Sequence, residues 1–310
     1  MLPMGLIFLI LTFVIYIITG NVFIFLLFLF ISFLYTHTAQ FHTIKETHHT
    51  IRLPDITKEH KIALVSDLHF DENKISYHPK LIQEVVESLM TSNPDIILFL
   101  GDFIQKDQKY ALQFKWAFTS ITSKIRCIAV LGNHDILDGN PPLYLENILK
   151  SMNVELLVDK LTKIDDLNVY GIHYYTSKHN LKFPKELSCE DNVLLLSHTP
   201  SVLCDNVFLK SSSNHETPKI VGVFCGHTHA GQVALPFVGC PLVLFPEWSV
   251  KWWRRMYLRL LDLKRWKYIT GIHYIPFPLV ITSGVGSHYG FRFNCPPDVV
   301  FLHIKPINSM

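Results

Sequence analysis

Apolar positions fall into two regimes along the chain. From Gly5 to Tyr35 they form a nearly unbroken run, and no Asp, Glu, Lys or Arg occurs before Lys45. From Lys61 onward they come in short bursts separated by stretches at helical spacing. The bursts at 61–70, 95–104, 125–135, 167–174, 192–200, 219–229, 278–286 and 298–305 are rich in leucine and β-branched residues and predict strands. Segments 80–94, 110–122 and 142–152 predict helices, the first stopped by Pro94 and the last opened by a proline. Early alternation of strand and helix, then a strand-rich end, predicts an α/β layered domain.

The first run is long enough to cross a bilayer core. A cleaved signal peptide would need a basic start, a shorter apolar stretch and a small-residue cleavage site, none of which fits. The reading is a retained membrane anchor over 1–36, a juxtamembrane linker over 37–60 and a folded domain over 61–306. Thr19-Gly20-Asn21 interrupts the anchor, so both a single tilted span and a hairpin fit. Lys45, Arg52, Lys58 and Lys61 outnumber the acids mixed among them by one, which favours the cytoplasmic side of the membrane for the domain that follows.

Composition agrees with an anchor: 49% of residues are apolar and only 17% charged. The six cysteines contain no C-x-x-C pair, and Cys127 and Cys225 lie inside strand-like runs, as reduced buried thiols would. A net charge of +2 by itself points to no partner. A monomer without nucleic acid is expected.

The polar residues interrupt this pattern at strand ends. Asp67 and His69 close the first strand, Gly101-Asp102 the second, and Gly132-Asn133-His134-Asp135 the third; His198 closes a later one, and His227 and His229 another. Ligands of open α/β sheets bind outside the carboxyl ends of the strands, so these blocks should converge on one rim. Asp, Asn and His without cysteine suit divalent metals such as Mn²⁺, Fe or Zn²⁺. The two-residue spacing of Asp67/His69 and of His227/His229 would put each pair on one side of an extended segment. The glycines before Asp102, Asn133 and His227 would let the backbone turn sharply and approach an anion. Two metals close together can activate water, neutralise a phosphate and stabilise in-line displacement.

D-x-H, G-D, G-N-H-[DE], a lone His and G-H-x-H, in that order, resemble the signature of calcineurin-like metallophosphoesterases over about residues 61–305. The resemblance implies a layered β-sandwich with flanking helices. It implies one metal on Asp67, His69 and His229, a second on Asn133, His198 and His227, and Asp102 bridging them. His134 would act at the leaving group, with Asp135 hydrogen-bonding it. "GHTHAGQ" and "GFRFNCPPDVV" resemble the membrane-anchored bacterial branch, in which Arg292 would contact substrate phosphate or form a surface salt bridge.

Residues 246–268 form a basic, aromatic insert after that motif. It holds Trp248, Trp252, Trp253 and Trp266 with Lys251, Arg254, Arg255, Arg259, Lys264, Arg265 and Lys267. Leu, Met and Trp at helical spacing beside basic residues describe an interfacial helix drawn to anionic headgroups, the alternative being a helix packed on the domain with a solvated basic face. Anchor, insert and metal rim together predict a lipid-linked phosphate substrate. This layout resembles that of the anchored chlamydial members of the fold family, and the resemblance implies hydrolysis of UDP-2,3-diacylglucosamine in lipid A synthesis, on the cytoplasmic side of a bacterial inner membrane. A broader phospholipid or nucleotide phosphodiesterase is the alternative, and an inactive membrane scaffold the non-enzymatic one.

Overall fold

The computed structural model describes residues 43–72, 79–105, 107–136, 143–174, 183–203, 217–234, 240, 268–287 and 292–307, with scattered positions between 13 and 30. Two six-stranded mixed sheets organise it.

The first sheet contains β1 (Lys45–Leu53), β2 (His60–Val65), β3 (Ile96–Phe99), β4 (Arg126–Ala129), β5 (Val154–Leu156) and β12 (Asp298–Pro306), in the order β1-β12-β2-β3-β4-β5. The second contains β6 (Lys160–Ile164), β7 (Leu167–Gly171), β8 (Asn192–Leu196), β9 (Lys219–Cys225), β10 (Gly271–Tyr274) and β11 (Pro278–Ile281), in the order β10-β11-β9-β8-β7-β6. Three helices, α1 (Pro79–Ser92), α2 (Ala111–Thr122) and α3 (Leu143–Ser151), pack through Leu81, Val85, Phe114, Phe118, Leu145 and Leu149.

Period-two alternation explains the layering. Ile62, Leu64, Ile96 and Leu98 join Leu194, Leu196, Phe224 and Val280 in the core between the sheets. Their neighbours Ala63, Val65, Ile97 and Phe99 point the other way, into the core with the helices. Tyr170, Val193, Leu195, Val223 and Ile281 cover the outer face of the second sheet. Because both faces of the central strands are buried, they read as continuous apolar runs. The expected layered β-sandwich with flanking helices is therefore found.

Two expectations change. Residues 45–53, assigned to the linker, form edge strand β1, paired in parallel with β12 from Lys45↔Asp298 to Leu53↔Pro306. Their alternation was obscured because only Ile51 and Leu53 are buried. The strands also stop short of their polar ends: β2 closes at Val65, before Asp67, and β9 at Cys225, before His227.

Among the described residues, no helix is long and apolar enough to cross a membrane. The described positions from 13 to 30 are helical except Gly20. Gly20 adopts φ +59° and donates its amide to Tyr16 O at 2.8 Å, a helix-ending geometry at the interruption noted above. The remainder of 1–36 lies outside the described residues, as does the insert 246–267 with Trp252, Trp253, Arg254 and Arg255.

Candidate metal centre

The loops after β2, β3, β4, β8, β9 and β11 meet at one end of the sandwich and are laced together by backbone bonds. Asp67 N donates to Gly101 O at 2.9 Å, His69 N to Asp102 O at 3.0 Å, Gly226 N to His198 O at 3.0 Å and Val285 N to Ser66 O at 2.9 Å. Asp67, His69, Asp102, His227 and His229 all have φ between +49° and +71°. The paired residues of each D-x-H or H-x-H block therefore do not share the side of an extended strand; left-handed loop backbone aims them. Such conformations cost on the order of 1–3 kcal/mol each and persist where the surroundings over-determine them.

Three overlapping groups result: Asp67, His69 and His229; His69, Asp102 and His134; and Asp102, His198 and His227. His227 and His229 thus fall in different groups. Each aspartate is anchored by one oxygen and aimed by the other. Asp67 Oδ2 accepts from His227 N at 3.0 Å, while Oδ1 faces His229 Nε2 at 3.4 Å. Asp102 Oδ1 accepts from His134 N at 2.8 Å, while Oδ2 lies 3.1 Å from His198 Nε2 and 3.6 Å from His69 Nε2. Asp102 is thereby placed between the two outer groups. Asn133 is on the loop after β4, beside His134, and its Oδ1 and the Oδ1 of Asp67 are buried without a hydrogen-bond partner.

The imidazoles are oriented from behind. His69 Nδ1 lies 2.7 Å from Gln105 Oε1, His198 Nδ1 2.7 Å from Leu100 O, and His229 Nδ1 3.2 Å from Gly286 O. Each acceptor can take the proton of Nδ1, the tautomer that frees Nε2 for a metal. His227 instead turns Nδ1 inward, 3.1 Å from His198 Nε2. Tyr174 packs beside both, with ring centroids 6.1 and 6.2 Å away.

The electrostatics ask for cations. Burial pushes Asp67 up to about 6, against the pull of His198. Burial also opposes ionisation of Asp102, yet His198, His134 and His69 hold it well below the usual carboxylate range. For His198, Asp102 outweighs burial and draws the imidazole up to about 9. Burial, His69 and Arg292 hold His229 well below the usual imidazole range, hence neutral. Two buried carboxylates, a neutral His229 imidazole and buried carboxyl and amide oxygens that make no hydrogen bond fit divalent cations.

Three expected roles are revised. Asp135 is fully buried, and its oxygens accept from Ile104 N at 3.1 Å and Gly132 N at 2.9 Å. It ties the second and third loops together, and burial and Asp102 push its carboxyl up to about 8. Arg292 is 0% exposed and grips backbone carbonyls, so it forms no surface salt bridge and is closed to substrate. The glycines admit other loops rather than an anion: a Cβ on Gly132 would lie 2.1 Å from Asp102 Oδ1, and one on Gly226 1.9 Å from Ser66 Oγ. Gln105 and the carbonyls of Leu100 and Gly286 escaped the sequence reading. Gln105 lies three residues past Asp102, a usable signal; backbone acceptors leave none.

Residues 60–231, more than half of the 310-residue chain, match the calcineurin-like phosphoesterase family. The chain belongs to that family. It is a family of metallophosphoesterase hydrolases, and the match ends at Gly231, just past the last histidine of the centre.

Relatives are distant. An uncharacterized metallophosphoesterase of Helicobacter pylori is 24% identical over 276 residues, covering 86% of this chain and 65% of its own. The chain thus spans just under two thirds of that relative's length. Phosphodiesterase YaeI of Escherichia coli is 28% identical over 254 residues, covering 79% and 82%. The UDP-2,3-diacylglucosamine pyrophosphatase LpxG of Chlamydia trachomatis is 22% identical over 300 residues, covering 78% and 82%.

Proposed function

We propose that the chain is a membrane-anchored, dinuclear metallophosphoesterase whose substrate is a lipid-linked phosphate anhydride or ester. The observation that carries this reading is the convergence of the five sequence blocks into three interlocked groups around Asp102. Asp67, His69 and His229 would hold one ion, Asn133, His198 and His227 the other, with Asp102 shared; Mn²⁺ is the first choice, Fe and Zn²⁺ the alternatives. When bound, such ions activate water and neutralise the phosphoryl oxygens. His134, whose amide is fixed on Asp102 and whose ring packs edge-on against His69 at 4.8 Å, is the proposed acid that protonates the departing oxygen. Asp135 keeps the His134 loop at its distance from the Asp102 loop.

UDP-2,3-diacylglucosamine, cleaved to UMP and 2,3-diacylglucosamine 1-phosphate, is the proposed substrate. The chlamydial relative's activity and the uncharged run before Lys45 support it. In this reading the anchor sits in the bacterial inner membrane with the domain in the cytoplasm, and Trp252, Trp253, Arg254 and Arg255 meet the headgroups. A broader phosphodiesterase is the second reading, favoured by the higher identity to YaeI. A dead scaffold is disfavoured, since none of the seven ligand positions is lost.

Asp102→Ala or Asn133→Ala should abolish Mn²⁺-dependent hydrolysis of bis(p-nitrophenyl) phosphate; retained activity refutes the site. Rescue of a strain lacking its own UDP-diacylglucosamine hydrolase separates the substrates. Failure with well-expressed protein selects the second reading.

A further inference from the structure

Beside the centre, residues 282–286 run as a strap from the end of β11. Its amides donate inward, from Val285 to Ser66 O at 2.9 Å and from Gly286 to Asp67 O at 2.6 Å. Gly284, at φ +70°, lies flat against Asp67: a Cβ there would sit 2.6 Å from the Asp67 Cβ. The strap's carbonyls turn the other way and meet one side chain. Arg292 Nη2 reaches Ser283 O at 2.8 Å and Gly284 O at 3.0 Å; Nε reaches Gly286 O at 3.1 Å, with a further bond from Nη2. Nη1 donates to Cys295 O at 3.3 Å. Nη2 also lies 3.1 Å from His229 Nδ1.

Gly286 O is the pivot. It is gripped by Arg292 and is the acceptor 3.2 Å from His229 Nδ1. Ligation through His229 Nε2 requires the proton on Nδ1, which Gly286 O can accept at 3.2 Å; the Arg292 guanidinium, a donor only, then makes no hydrogen bond to that nitrogen. The other outer group is held differently: His198 Nδ1 faces Leu100 O, on the β3 side. Arg292 therefore bears on Asp67 and His229 and not on His198.

We infer that Arg292 is a positioning residue that clamps the 282–286 strap onto Asp67 and His229, so that its loss empties the Asp67–His69–His229 metal position while sparing its neighbour. The inference rests on the proposed two-ion centre. A guanidinium has donors in a fixed planar fork and can hold several carbonyls at once; a lysine ammonium cannot reproduce that fork. Charge works in the opposite direction, because a buried cation beside a metal site repels the ion. Removing Arg292 thus weakens binding only if the clamp matters more than the repulsion. Loss of such supporting partners costs about 10–100-fold in metal affinity.

The test is Mn²⁺ titration of the metal-stripped full chain in detergent, with metal analysis and electron paramagnetic resonance as readouts. Wild type should take up about two ions per chain with the spectrum of a coupled manganese pair. Failure of the wild-type arm refutes the two-ion centre itself, whereas the variants probe the clamp alone. Arg292→Lys and Arg292→Gln should each retain about one tight ion, show an uncoupled Mn²⁺ spectrum and bind the second ion about 10–100-fold more weakly. Adding Asn133→Ala to either should remove the ion that remains. Wild-type affinity for both ions in Arg292→Lys, or equal weakening of both, overturns the inference. Gly284→Ala, which replaces neither Arg292 nor any proposed ligand but presses the strap off Asp67, covers the case in which neither Arg292 variant folds. It should lift the strap and lose the same single ion; two tight ions there would overturn the clamp.

Discussion

Nε2 of His69 lies 3.1 Å from Nε2 of His229, a residue 160 positions further along the chain. Behind each ring, Nδ1 faces an acceptor, Gln105 Oε1 or Gly286 O. With the proton of each ring on Nδ1, the two facing nitrogens are bare and repel unless a cation lies between them. Stripping the protein with a chelator should therefore abolish hydrolysis and lower the melting temperature by several degrees, and Mn²⁺ should restore both. An ion at a hundredfold its dissociation constant stabilises the folded chain by about 2.7 kcal/mol. A melting temperature indifferent to chelator and to Mn²⁺ would argue that the cluster is a satisfied histidine core.

Gly132→Ala probes the approach of two loops without replacing a proposed ligand. The added Cβ would lie 2.1 Å from Asp102 Oδ1 and 2.5 Å from Asp102 N, so the aspartate must move. Displacements near 1 Å cost about a hundredfold in rate, and overpacking costs about 1–3 kcal/mol in stability. The expected result is a kcat/KM lower by about a hundredfold or more with a folded protein. Gly222→Ala is the control. Its Cβ would meet the flexible end of Leu194 at 2.9 Å, far along β9 from the centre, and activity should survive.

Burial decides which elements the sequence displayed and which it hid. The central strands β2, β3, β4, β8 and β9 were legible because both of their faces are covered. Those that escaped, β1, β5, β6 and β10, are the four sheet edges. An edge strand such as Lys160–Ile164 buries little and carries charge, so its alternation is weak. The site residues were legible because five short motifs share one chemistry and one position at strand ends. Their geometry was not. Spacing of two suggested extended pairs, whereas the backbone at Asp67, His69, His227 and His229 is left-handed. Arg292 was legible as a motif residue but not in its role, since nothing in "GFRFN" tells that the guanidinium turns inward to carbonyls of a preceding loop.

At the opposite end of the sandwich, Asp165 joins the β6–β7 turn to the segment before β2. Its Oδ2 accepts from Thr57 Oγ1 at 2.9 Å and Thr57 N at 3.1 Å, and lies 2.9 Å from His60 Nε2. Burial works against ionisation here, but the His60 and Thr57 bonds overcome it and bring the carboxyl from 3.8 to about 2. A lowered carboxylate stabilises the fold above its unfolded value, and that stability is lost as pH falls through the folded one. Asp165→Ala should therefore destabilise the protein by about 1–3 kcal/mol at pH 7. The gap to wild type should close between about pH 4 and pH 2. Urea unfolding across that range measures it. A gap that does not change with pH would assign the effect to packing rather than to charge.

The segment Trp248–Trp266 separates a lipid-facing enzyme from one that merely carries an anchor. On the proposed reading, its tryptophans and its run of Lys and Arg, opposed within that span only by Asp262, would draw it to anionic headgroups by about 1 kcal/mol per basic residue near the surface. Deleting it should lower turnover of a diacylated nucleotide-sugar substrate in anionic vesicles by about tenfold or more. Turnover of a soluble diester should change little, because the proposed ligands lie on loops outside the deletion. Raising salt on the intact protein should imitate the deletion in part, since headgroup attraction at the surface is screened within about 8–10 Å. Equal losses on both substrates would mean that the segment supports the domain's structure and that membrane contact rests on the first 36 residues.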